Sequence, residues 1–301
     1  MEPHRLRAYI ILLFVYTIWA VASPVIKFTL GGVSPLLFLF YRFAISSVAA
    51  LFIFILTGVH FPKDKKVILN LLLYCLLSSS VTLGLLFFGL ENTTVLEAPL
   101  ITVAAPLLIS TAGVIYLKEH VTKREKLGMG IALAGTIFSV LGPLIQGAGS
   151  GIRLSGNILI FLYLIITVIP SIQAKILLRD GVSPITMTNL SFIVGFLSII
   201  PFVFLGQGRS QVISTLIALP FPYFLGILYM ALLSGTLAFT LSNEAQKTIE
   251  VGEASVFSYL YPILSAPHAI FWLGEKITFP FIIGAVIIAI GVVIAEYKKR
   301  K

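Results

Sequence analysis

The sequence predicts an all-α integral membrane protein with ten transmembrane helices, arranged as two inverted five-helix repeats with both termini cytoplasmic. Three observations predict it. The chain is 58% hydrophobic and only 11% charged, with mean hydropathy +1.05, whereas a soluble domain carries about 25% charged residues. The segment Val95 to Gly135 returns 156 positions later as Val251 to Gly291, with eleven identities in 41 ungapped columns. Basic residues also gather on one side of the apolar runs.

A crossing of the hydrocarbon core takes about 20 apolar residues. Ten segments qualify: Ala8–Thr29, Pro35–Thr57, Val67–Leu90, Thr94–Leu117, Lys126–Pro143, Gly156–Leu177, Pro184–Gly206, Phe221–Ser242, Gly252–Leu273 and Ile277–Glu296. Internal prolines such as Pro24, Pro106, Pro170 and Pro262 are tolerated where neighbours satisfy the freed carbonyl. With both termini inside, 16 of the 21 Lys and Arg are cytoplasmic. Lys27, Arg153, Arg209 and Lys276 are outside, and Arg42 falls within the second span. The basic start and Ala20-Val21-Ala22 resemble a signal peptide, but the apolar run continues through Pro24 to Phe28. An uncleaved first helix is the expectation.

The repeat keeps Val95/Val251, Glu97/Glu253, Ala98/Ala254, Pro106/Pro262, Leu108/Leu264, Leu117/Leu273, Glu119/Glu275, Thr122/Thr278, Gly128/Gly284, Ile131/Ile287 and Gly135/Gly291 in register. Gly32-Val33-Ser34-Pro35 likewise returns as Gly181-Val182-Ser183-Pro184. Residues 1–145 and 152–301 therefore form two copies of one unit. Five helices is an odd number, so the second copy enters the membrane from the opposite side. Inverted repeats supply the two shapes of alternating access, with the substrate between them near the midplane. Gly128 with Gly135, and Gly284 with Gly291, lie seven apart on one helical face, an arrangement expected for close helix packing. Such seams pack within a chain or between chains, which leaves a homo-oligomer open.

Composition also excludes. In a membrane protein the net charge of +9 marks topology rather than nucleic acid. The single cysteine, Cys75, sits in an apolar run, without a disulfide or thiol metal partner. Four His, two Asp and no metal-like spacing argue against a membrane enzyme, and no metal or cofactor is expected. No phosphate-binding Gly-x-x-x-x-Gly-Lys motif is present. The expected partners are lipid, a small-molecule substrate and a coupled proton. A receptor, the remaining alternative, leaves the inverted repeat unexplained.

The endings of the halves carry a resemblance: Pro106, Tyr116-Leu117-Lys118-Glu119, Gly128 and Gly135, then Pro262, Trp272-Leu273-Gly274-Glu275, Gly284 and Gly291. With the opening Trp19-Ala20-Val21-Ala22-Ser23-Pro24, they make the chain similar to the drug/metabolite transporter superfamily, in its EamA-type ten-helix branch. The resemblance implies export or exchange of small metabolites, often amino acids or related compounds, across the cell membrane. It also implies a central cavity lined by the first, third, fourth, sixth, eighth and ninth helices.

Seven residues stand out as substrate or gating candidates. Glu97 and Glu253 are symmetry partners, placed by inversion near the outer and inner faces. They read either as gates and proton carriers or as helix caps, since Thr94-Val95-Leu96-Glu97 fits a capping box. Arg42, inside a span, either binds a substrate carboxylate or snorkels or pairs structurally. Trp19, Tyr163 and Tyr259 are candidates for an aromatic cavity wall, with core packing as the alternative. His268 is a proton-relay candidate, or a histidine bonded to a neighbouring helix. Glu119 and Glu275 read as turn elements. Ser78, Ser79, Ser80, Thr82, Ser234 and Thr236 offer cavity hydrogen bonds or bonds to carbonyls one turn back.

Overall fold

The computed structural model describes residues 3–58, 61–117, 123–146, 150–206 and 208–296, and every regular element among them is helical. In chain order these are α1 (Pro3–Thr29), α2 (Pro35–Thr57), α3 (Lys65–Asn92), α4 (Glu97–Thr102), α5 (Ala105–Leu117), α6 (Lys123–Gln146) and α7 (Ser150–Arg179). There follow α8 (Pro184–Gly206), α9 (Gly208–Ala218), α10 (Phe221–Gln246), α11 (Val251–Ser255), α12 (Leu260–Phe271) and α13 (Phe279–Glu296). Among the described residues, seven helices are long and apolar enough to cross a membrane: α1, α2, α3, α6, α7, α8 and α10. Ile55, Leu205 and Phe271 are 80%, 89% and 89% exposed, an outward apolar surface that suits lipid rather than water. Glu119, Thr122 and the basic tail from Lys298 to Lys301 lie outside the described residues.

The differences from the expected spans have local causes. The fourth expected span is two helices, with the break at Val103 and Ala104. Pro106 has no amide to donate, and its ring crowds the carbonyl of Thr102 four residues back. Pro262 stands at the matching place of the second half, where a 3₁₀ turn, Val256–Tyr259, separates α11 from α12. The tenth is the apolar α13 of 18 residues. A short helix, α9, replaces an expected joint, with Val212 buried and its carbonyl accepting the Tyr41 hydroxyl at 2.6 Å.

Helix contacts come in matched pairs. The second helices of the halves, α2 and α8, lie together, as do the fifth-span helix α6 and its counterpart α13. α3 meets α7 as α10 meets α1, and α5 meets α7 as α12 meets α1. The glycine seams face one another. A Cβ on Gly291 would stand 2.4 Å from the Ala132 amide nitrogen and 2.7 Å from the Gly128 carbonyl oxygen, and one on Gly135 would stand 2.9 Å from the Ile288 amide nitrogen. The seams are thus packing surfaces, as their spacing predicted, within a single chain.

Charged side chains finish the helix ends. Lys27 donates to the carbonyls of Leu90, Glu91 and Thr93 at 2.8, 2.9 and 2.7 Å, closing α3. Lys175 donates to those of Gln246 and Ile249, both at 2.7 Å, closing α10. Leu90/Gln246 and Thr93/Ile249 keep the 156-residue offset. Ammonium at a helix C-terminus satisfies orphan carbonyls and complements the dipole. Glu275 acts at the opposite polarity: its carboxylate accepts from the amides of Val95 and Leu96 at 2.6 and 2.9 Å, ahead of α4. This is a structural role, but exerted on the other half rather than on its own turn. Burial pushes the Glu275 carboxyl pKa upward, against the pull of those two amides and of Lys27.

Two outcomes follow for thermal unfolding in detergent. Gly291→Val should cost about 1–3 kcal/mol through backbone clash, whereas Gly130→Ala, whose methyl meets nothing within 4 Å, should be neutral or stabilising by up to about 1 kcal/mol. Glu275→Ala should cost about 1–2 kcal/mol, as loss of a helix cap does.

Candidate functional site

The same breaks and caps frame a central cavity of about 230 Å³. Its walls come from α1, α3, α4, α5, α7, α10, α11 and α12, which occupy the first, third, fourth, sixth, eighth and ninth expected spans, with Arg42 added from α2. α3 and α10 are each widened by a π-helical turn, Leu76–Val81 and Tyr229–Leu237. Such turns occur often at functional sites, and here they carry Ser78 and Ser234 to the cavity wall.

Among the described residues, Arg42 is the one charged residue lining the cavity. It is fully buried, and none of its three guanidinium nitrogens has a hydrogen-bond partner. The rings of Phe43, Phe87 and Phe192 surround it, with centroids 6.0, 5.4 and 5.8 Å from the guanidinium carbon. Aromatic faces attract the cation but leave its N–H donors unsatisfied. Snorkelling and structural pairing, the alternatives for this residue, are not what the side chain does. Three further polar groups on the wall, the Ser258 and Ser265 hydroxyls and the Gln246 side-chain oxygen Oε1, are also buried without a partner.

Aromatic residues form the apolar part of the wall. Tyr16 lies 5.5 Å from Trp19 and 5.1 Å from Tyr261, and Trp19 lies 5.0 Å from Phe239, between ring centroids. Trp19 also donates its indole N–H to the Ser234 carbonyl at 2.9 Å. Trp19 and Tyr163, both candidates, therefore line the cavity, together with Arg42. Tyr259 does not; it packs with Leu100, Val103 and Ile288. Nor does His268, whose Nδ1 is 3.0 Å from the Leu264 carbonyl of its own helix rather than a neighbouring one.

Glu97 and Glu253 stand in ion pairs. Glu97 binds Arg153 at 2.5 and 3.3 Å and accepts from the Thr93 hydroxyl at 3.2 Å. Only half of the anticipated capping box forms: the Glu97 amide donates to the Thr94 hydroxyl at 3.0 Å, while its carboxylate is turned to Arg153. Glu253 binds Arg5 at 2.7 and 2.8 Å and also accepts from the Tyr9 hydroxyl. Each pair joins the start of α1 or α7 to the first turn after a half's third long helix. The pairs lie at opposite ends of α1: Arg5 is near its start, and Lys27 near its end holds the Leu90–Thr93 carbonyls beside Glu97. Those 22 residues span about 33 Å.

Several wall residues were not singled out from the sequence, among them Tyr74, Asn243, Ser258 and Ser265. A signal exists in hindsight for the serines. Ser255, Ser258 and Ser265 fall at i, i+3 and i+10, a single polar stripe in an otherwise apolar span. The Ser and Thr clusters do not divide cleanly: Ser79 donates to the Cys75 carbonyl at 2.6 Å and Thr236 to that of Ala231 at 3.3 Å. Of Ser78, Thr82 and Ser234, which line the cavity, Thr82 still donates to the Ser78 carbonyl at 2.7 Å.

Comparison with known proteins agrees with this architecture. The chain is 26% identical over 296 residues to the uncharacterized transporter YyaM of Bacillus subtilis (strain 168), covering 97% of this chain and 94% of that one. It is 25% identical over 296 residues to a "probable amino-acid metabolite efflux pump" of Salmonella typhimurium, covering 96% and 94%. A solved crystal structure superposes with a TM-score of 0.65 over 97% of this chain and 96% of its own, at 19% identity, a likeness of fold alone. Residues 6–141 and 154–297 each match the EamA-like transporter family, and the chain, a multi-pass membrane transporter, belongs to that family.

Proposed function

We propose that this transporter moves a small organic metabolite, an amino acid or related compound, across the cytoplasmic membrane by alternating access, in export or exchange. The observation that carries this reading is the cavity set between two equivalent ion pairs, Arg5–Glu253 and Arg153–Glu97. Each pair ties the first helix of one half to the broken helix of the other. Opening one end requires parting one pair, while the other holds its end shut. In this reading the halves are inverted five-helix repeats, ten spans in all, with both termini in the cytoplasm. The Arg5–Glu253 pair then belongs to the inner end and the Arg153–Glu97 pair to the outer.

The two ends are not equivalent. The Glu97 side chain is 5% exposed and that of Glu253 26%, so the outer end is the tighter seal. The Arg153 side chain is itself 30% exposed, so separating the outer pair, which strands the Glu97 carboxylate, costs less than the ~3–5 kcal/mol of a fully buried pair and more than the ~0–1 kcal/mol of an exposed one. A proton taken up by either carboxylate would release its arginine and couple transport to a proton gradient. The relatives described as amino-acid metabolite efflux pumps support the substrate class and the direction.

In liposomes, the purified chain should move members of a broad metabolite panel under a proton or substrate gradient; no flux of any member would sink the reading. Glu253→Gln should abolish the dependence of flux on pH if that carboxylate carries the proton, and unchanged pH dependence would remove it from that role. For the outer seal, Thr102→Cys in a Cys75→Ala background supplies a reporter on the cavity wall. Adding Glu97→Gln should raise its labelling by an impermeant maleimide from the outer face about tenfold, given the cost of parting this pair. Equal labelling would mean that the pair is no gate.

A further inference from the structure

The unsatisfied groups of the cavity describe their ligand. Arg42 offers N–H donors on three nitrogens, none of them bonded. The other buried, unpartnered side-chain atoms on the wall are the Ser258 and Ser265 hydroxyls, which give or take, and the Gln246 side-chain oxygen Oε1. Among the described residues, no Asp, Glu, Lys or His lines the cavity. The described wall therefore carries one formal positive charge, an excess of donors and no formal negative charge to balance a second cation. A buried cation without a counter-ion is costly, and a planar guanidinium fork matches a carboxylate through two parallel N–H bonds. An ammonium group would bring a second positive charge into a low-dielectric space that already holds one, with no anion to meet it.

We infer that the substrate is a small organic monocarboxylate with an apolar body and no free ammonium group, its carboxylate held by Arg42. This rests on the transport reading for the site and narrows it from amino acids to their deaminated relatives and similar acids. The apolar body lies against the Tyr16, Trp19, Phe239 and Tyr261 rings, and the two free serine hydroxyls meet any further oxygen on the ligand. The carboxylate completes the charge balance, so acid and cavity together are neutral.

Trp19 gives a direct readout of binding. The chain has two tryptophans, and Trp272→Phe leaves the cavity residue as the sole reporter. Four probes share a benzene ring and differ in charge: 3-phenylpropionate, 3-phenylpropionamide, phenylalanine and phenethylamine. A branched pair, 4-methylpentanoate and its amide, covers an aliphatic body. In detergent, at least one acid should change Trp19 fluorescence saturably, and its own amide, the amino acid and the amine should bind roughly 10- to 100-fold more weakly, the range of a charge-assisted bond. Arg42→Gln should lose that acid-over-amide preference while the unliganded melting temperature stays level or rises, because a buried unpaired charge has gone. Arg42→Lys should keep part of the preference.

Amides or amines binding as well as the acids would overturn the inference, and the wild-type ranking stands even if Arg42→Gln fails to fold. An acid preference that survives Arg42→Gln would overturn it too. The outcome also separates this inference from the transport reading. Flux of amines or zwitterions unaffected by Arg42→Gln would reject the carboxylate assignment and keep the transporter. Acid binding that depends on Arg42, in a chain that moves no solute, would do the reverse.

Discussion

Lipid supplies no hydrogen bonds, so every helix end and every charge held inside this protein must find its partner within the protein. That constraint organises the fold. The breaks at Pro106 and Pro262 interrupt the backbone ladder around the cavity, and the joints ahead of α4 and α11 leave the last carbonyls of α3 and α10 and the amides ahead of α4 to be satisfied. Lys27, Lys175 and Glu275 answer the exposed carbonyls and amides. Each of these ties is made by a charged group, which is why a chain with only 11% charged residues keeps several of them at the joints.

The same constraint isolates Arg42. Lys27 and Lys175 reach backbone carbonyls and Arg5 and Arg153 reach carboxylates, but the Arg42 guanidinium is enclosed by rings that leave its N–H groups unused. Satisfied charges hold the frame together and an unsatisfied one faces the cavity. The contrast sets Lys27, Lys175, Arg5 and Arg153, each bonded within the protein, apart from Arg42, which is not. Glu275 caps the Val95 and Leu96 amides from the other half, while the Glu97 carboxylate meets Arg153.

Much of the architecture was legible in the sequence because the signals are periodic. Apolar runs of membrane length located the long helices, and the 156-residue register marked Gly128, Gly135, Gly284 and Gly291 as close contacts. The helix breaks were less legible, since Pro24 and Pro170 sit inside continuous helices while Pro106 and Pro262 end them. A proline's effect depends on whether neighbours repair the ladder, and that is a tertiary property. The ion pairs were hidden for a related reason. Arg5 and Glu253 are 248 positions apart, and only the relative placement of the halves brings them together. The π-helical turns leave no residue-type signature, so the serines they carry to the cavity could not be ranked above those that bond their own helix.

The meeting of the two glycine seams has a consequence for how this chain can vary. On a surface helix, a new side chain is answered by solvent or by a mobile neighbour. Between α6 and α13 it is answered by backbone, with Gly291 against Ala132 and Gly128, and Gly135 against Ile288. At Gly291, where the neighbours are the Ala132 amide and the Gly128 carbonyl, bulk gained on one helix cannot be offset by trimming a side chain on the other. Substitution is open along the lipid faces of α6 and α13 and closed along this single line.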